Sequence, residues 1–183
     1  LDTAESLTRD AERKYLAGDY KGAISACDQA LRIQPDYVMA HLQRGRARWG
    51  LGDFDGAIAD CSQALATDPK NVLALNLRGS VNDARGKLRE AISDFDQALV
   101  LDPRHARSYN DRGLVKYKLR DWDGALQDFN RAIEIDAMFS LPYMNRSTIR
   151  LGRGEVDAAV ADCDRAIALD PSSAGAFVAR GLA

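Results

Sequence analysis

A chain of 183 residues, 46% apolar and 28% charged, has the length of one domain and enough apolar residues to bury a core. Its 25 Lys and Arg nearly cancel its 27 Asp and Glu, and a net charge of -2 argues against a nucleic-acid partner. No apolar run approaches the roughly 20 residues of a bilayer crossing, no signal peptide opens the sequence, and three scattered cysteines suit neither a disulfide framework nor a zinc site. No membrane role is expected, and a cytoplasmic location fits free thiols without an export signal.

The sequence repeats itself with a period of 34 residues. Gly45, Gly79 and Gly113 stand one period apart, and Asp68-Pro69, Asp102-Pro103 and Asp170-Pro171 fall on the same lattice. A single domain spanning 1–183 therefore divides into units 4–37, 38–71, 72–105, 106–139 and 140–173, with a trailing helix at 174–183 that opens a sixth. In unit one the second helix carries Ala23, Cys27 and Ala30 at i, i+4, i+7, which places all three on one face. Unit two repeats this with Ala57, Cys61 and Ala64, after a first helix running from Met39 to Gly50 and a turn at Gly52-Asp53. Units three and four replace the central cysteine by Phe95 and Phe129, and unit five returns to Cys163. A residue that alternates with Phe is a core plug, and free Cys serves there as a small hydrophobe. Proline closes units one, two, three and five; unit four has Ala137 instead.

A helix–turn–helix unit of this length, with a mid-first-helix Gly, paired alanines and a closing Pro, resembles the tetratricopeptide repeat. The resemblance implies an all-α fold, a right-handed superhelical solenoid of antiparallel helix pairs. It also implies a concave groove, lined by the first helices, that binds peptides or proteins. Some places depart from the pattern. The mid-helix Gly is Ala11 in unit one and Ser147 in unit five, and the turn Gly of unit four is Arg120. Met138, Phe139, Leu141 and Pro142 form an apolar cluster beside the missing proline, read as ordinary packing at a re-angled joint.

Catalysis has little to work with, and neither an enzyme nor any cofactor or metal is expected. His41 falls where a packed ring is expected, and His105 reads as a solvated turn residue. Asp53-Phe54-Asp55-Gly56 lacks the further oxygen ligands and closing Glu of a calcium loop, so Asp53 reads as a helix cap.

Two patterns remain. Places two, five, nine and twelve of each first helix share one face, and the resemblance assigns that face to the ligand. Its candidate binding residues are Arg46, Trp49, Asn76, Asn110 and Tyr117, with Asp111 and Asn145 one place beside it. Amides offer a donor and an acceptor to a peptide backbone, and the aromatics offer rigid area. The second pattern is charge: Arg44, Arg78, Arg112 and Arg146 recur in the first helices, and Asp60, Asp94, Asp128 and Asp162 in the second. An Arg–Asp ladder that fixes register is the favoured reading over a basic stripe for an acidic ligand. The expected function is a protein- or peptide-binding scaffold. The alternatives are self-association through open ends, or service as the recognition domain of a larger protein. The Lys and Asn pattern of a chaperone-tail clamp is not matched.

Overall fold

A computed structural model of the chain describes residues 3–172 with Gly175, Phe177, Arg180 and Gly181. The trailing helix expected over 174–183 lies largely outside these residues. Ten helices are present among them, α1 (Ala4–Leu16), α2 (Tyr20–Ile33), α3 (Val38–Gly50), α4 (Phe54–Thr67), α5 (Val72–Ala84), α6 (Leu88–Leu101), α7 (Ala106–Lys118), α8 (Trp122–Ile135), α9 (Ser140–Gly152) and α10 (Val156–Leu169). The chain forms two compact units, residues 1–101 with α1–α6 and residues 102–183 with α7–α10. Within each, consecutive helices pair, α1 on α2, α3 on α4 and α5 on α6 in one unit, and α7 on α8 and α9 on α10 in the other.

Local chemistry sets the start of the second helices. Asp19, Asp53 and Asp121 are N-caps whose carboxylates accept the backbone N–H of Gly22, Gly56 and Gly124 at 2.8, 2.9 and 3.0 Å. A Cβ at those glycines would lie only 2.0–2.2 Å from Oδ2 of the capping carboxylate, whose Oδ1 accepts the hydrogen bond. Cap and glycine therefore travel together, and the second helices preceded by Lys87 or Glu155 carry Glu90 or Ala158 at the glycine's place. Four of the five turns between paired helices hold a glycine at φ of +76 to +80°, and the fifth holds Arg120 at +64°.

The core runs along the alanine–plug–alanine faces, all of which are buried. A Cβ added to Gly79 would lie 2.8 Å from the Phe95 ring, and one added to Gly113 2.7 Å from Phe129. At Gly45, where the repeat's plug is Cys61, nothing would come nearer than 3.4 Å. The departures in the repeat pattern follow from this: a phenyl plug requires glycine, while a thiol plug accepts Ala11, Gly45 or Ser147 at the same place. Burial pushes the Cys27 and Cys61 thiols up to about 12.

Pro142 sits buried in the first turn of α9, where its missing N–H is harmless. Met138 beside it is exposed, and the Ala137 carbonyl accepts from Tyr143 Oη and an Arg165 N–H, both at 3.3 Å.

Candidate functional site

The recurring arginines and aspartates pair with each other. Arg44 binds Asp60, Arg78 binds Asp94, Arg112 binds Asp128 and Arg146 binds Asp162, each with a closest contact of 2.6 Å inside one repeat. The four carboxylates are buried, so an uncompensated charge there would be costly. A second donor one turn on meets each of them: Arg48, Lys116 and Arg150 at 2.8 Å, and Asn82 through its amide at 3.1 Å. The asparagine that breaks the charge series thus keeps the hydrogen bond. Some ladder arginines also reach back to the preceding repeat, Arg44 to Asp28 at 2.7 Å and Arg146 to Asn130 at 2.6 Å. These guanidinium groups are internal ties, and the acidic-ligand reading of the stripe loses its basis.

His41 is buried, with Nε2 2.9 Å from the Pro35 carbonyl and Nδ1 3.5 Å from Asp60. His105 differs from the solvated residue expected. It is half-buried as the N-cap of α7, its Nδ1 lies 2.8 Å from Ser108 Oγ, and burial lowers its pKa.

The first-helix places expected to face a ligand are divided between the two compact units. In the first unit α3 packs against both α1 and α5, so their outward faces adjoin. Arg46 lies over the Tyr15 ring at 4.9 Å, an anchored cation on this face. Trp49 is half-buried against the cluster around Leu42 and Val81, and Asn76 is buried. Gln43, also buried on α3, leaves Oε1 without a hydrogen-bond partner among the described residues. Met39 and Leu73, both at place two of their repeats, are exposed at 39% and 54%.

In the second unit α7 and α9 adjoin. Asn145 donates to Asn110 Oδ1 at 2.9 Å, and Asn110 donates to Asp111 at 3.1 Å, which lies 3.6 Å from Arg107. The sequence candidates Asn110, Asp111 and Asn145 are therefore brought together, but Asn110 is only 1% exposed and engaged internally. Tyr117 stands apart at the end of α7, beside Trp122.

Two tetratricopeptide repeat models match the sequence, over residues 14–80 and 83–151. The chain belongs to the tetratricopeptide repeat family. Its all-α solenoid class is shared by the crystal structure of MamA, 26% identical, with 90% of this chain and 96% of that one covered and a TM-score of 0.71. TTC0263, a thermophilic tetratricopeptide protein of Thermus thermophilus, gives 21% identity, 97% of both chains and a TM-score of 0.83. The APC/C hetero-tetramer Cut9–Hcn1 gives 20% identity, 97% of this chain but 36% of that one, and a TM-score of 0.86. No curated protein matches.

As a tetratricopeptide protein, the chain has a fold that generally serves as a non-catalytic scaffold for protein partners. No helix among the described residues is long and apolar enough to cross a membrane. Residue type and spacing single out the amides and large aromatics and give no weight to the apolar residues at place two. Met39, Leu73 and Leu141 recurred there in the sequence, and exposure is what separates them from core residues.

Proposed function

We propose that the chain binds an extended peptide or protein segment along the outward faces of its first helices, α1, α3 and α5 in one unit and α7 and α9 in the other. The exposure of Met39, Leu73 and Leu141 carries this reading, because unbranched and aliphatic side chains presented at one recurring place offer desolvation energy to a partner. Arg46, held on Tyr15, and Asn145, held on Asn110, supply fixed polar groups beside them at little further entropy cost. Catalysis needs an ordered nucleophile and base, and the two histidines are engaged with a carbonyl, a cap and buried carboxylate instead. Partners would therefore be held, not transformed.

The test is capture of partners from a native extract on the immobilised chain, followed by titration of a captured partner against variants. Met39→Ser with Leu73→Ser should weaken binding to the first unit by about 1–2 kcal/mol and leave the circular dichroism melt unchanged. Arg46→Ala should add a smaller loss with a reduced salt dependence. Undiminished binding by the folded triple variant would reject the first-helix face. Sedimentation of the parent separates partner binding from self-association.

A further inference from the structure

The strongest unused feature is a notch in the second unit, at the turn between α7 and α8. Tyr117, Trp122, Thr148, Ile149, Gly152 and Arg153 enclose about 110 Å³ there. The lattice places of Tyr117, Trp122 and Gly152 are held in the first unit by Tyr15, Tyr20 and Gly50, and there they are closed. Tyr15 and Tyr20 pack with ring centroids 5.4 Å apart and a tilt of 48°, and the Tyr20 ring lies about 3.0 Å from where a Gly50 Cβ would stand. Arg46 covers Tyr15 from the next helix pair. In the second unit Thr148 occupies the place of Arg46 and is too short to cover Tyr117, which is 40% exposed. Trp122 is 48% exposed, and a Cβ at Gly152 would meet nothing within 4 Å. One set of positions is thus filled from within in the first unit and left open in the second.

The chemistry of the rim narrows the occupant. The volume is far below the roughly 300–1,000 Å³ of small-molecule sites. It is also smaller than the ~150 Å³ apolar cavity that accepts benzene, so it suits one aliphatic side chain. Arg153 is neutralised by Asp123 at 2.5 Å. Arg120, in the turn joining the helices that carry Tyr117 and Trp122, is exposed, and its guanidinium makes no hydrogen bond or ion pair among the described residues. It also holds the left-handed backbone that the other four turns give to glycine, a conformation that costs a non-glycine residue free energy. We propose that the notch over Gly152 docks a linear segment of a partner protein that presents one aliphatic side chain, Leu or Met in size, next to an acidic residue met by Arg120.

The experiment uses Trp122 as its reporter, in the full chain carrying Trp49→Phe, which leaves a single tryptophan. The probe is a capped peptide Gly-Ser-Leu-Asp-Glu-Ser-Gly titrated to millimolar concentration. The expected result is a saturable change in Trp122 emission, at least tenfold weaker when the peptide's Leu is replaced by Gly. Replacing its acids by Asn and Gln, or Arg120 by Gly, should weaken it several-fold and remove most of its salt dependence. Gly152→Leu fills the notch from within, so it should abolish the signal while keeping or raising the melting temperature. The notch borders the proposed face of α7 and α9, but that substitution leaves the outward faces of α3 and α5 unchanged, so a partner held there still binds and the notch can fail while that reading stands. No saturable change, equal binding of the Leu-less peptide, or binding indifferent to Gly152→Leu would overturn the proposal. So would concentration-dependent dimerisation that Gly152→Leu removes, which would make a second copy the occupant.

Discussion

Gly79 and Gly45 occupy the same place in adjacent repeats, yet they do different work. At Gly79 a methyl group collides with the Phe95 ring, which is fully buried and has nowhere to retreat. Gly79→Ala should cost about 1–3 kcal/mol despite its better helix propensity. Gly45→Ala meets only ordinary contacts at 3.4 Å and should be neutral or stabilising by up to about 1 kcal/mol. Urea midpoints of the two variants check the contrast, and equal effects would mean that the plug does not govern the glycine. The link between plug and glycine was present in the sequence as paired variation among five repeats. It went unread because period and polarity do not report which side chain a backbone position faces. His105 shows the same limit. Its place after Pro103 suggested a wet turn, but packing at the start of α7 half-buries the ring and lowers its pKa. Protonation then favours the unfolded chain, whose histidine titrates near 6.5. Stability from this group is full above that value and declines as pH falls from about 6.5 toward the lower folded value. His105→Asn, compared with the parent in urea at pH 7.5 and 5.5, should show a smaller loss on acidification.

At the scale of the element, four of the five repeats are each closed by a polar tie between their two helices, and the first has Asp10 and Ala26 at the two places. Asp94 is buried and receives Arg78, whose charge it stabilises, and the amide of Asn82. Asp94→Ala strands the guanidinium beside the Phe95 plug and should cost about 3–5 kcal/mol, near the range for breaking a buried pair. Replacing Asp94 and Arg78 together by Leu should cost less than Asp94→Ala alone, which a double-mutant cycle measures. A double variant worse than the single one would mean that the tie contributes net stability. Helix starts were legible from the sequence because Asp-x-x-Gly encodes its own geometry, and the ladder was legible because acid and base recur together. The binding face was less so. Asn110 looked like a ligand clamp by type and spacing, but a neighbouring helix claims its carbonyl through Asn145, and no single-helix pattern contains that information.

For the molecule as a whole, stability in a repeat array is a sum of repeats and their interfaces, so repeats open locally with different free energies. The three cysteines report this directly, since all are buried free thiols. Cys27 lies in the first repeat of its unit, whereas Cys61 lies in the second, with a neighbour on either side. In native buffer neither should react with a thiol reagent. In urea below the main transition Cys27 should be labelled before Cys61, and mass spectrometry of the quenched digest reads the order. Simultaneous labelling of both would show that the first unit opens as one cooperative body.

The coupling of plug to glycine and of cap to glycine also limits how such a chain can be recombined. In the plug pair one partner sits on a first helix and the other on the second helix of the same repeat, so a crossover in the intervening turn separates them. Joining the helix of Ser147 to the helix of Phe129 would set a hydroxymethyl group against a phenyl ring where even a methyl does not fit. The cap pair lies entirely within the start of the second helix and survives the same cut. Whole repeats can be duplicated, deleted or exchanged without parting either pair. The heritable piece of this architecture is therefore the helix pair, and a lineage that shuffled single helices would lose its folded members at the plug.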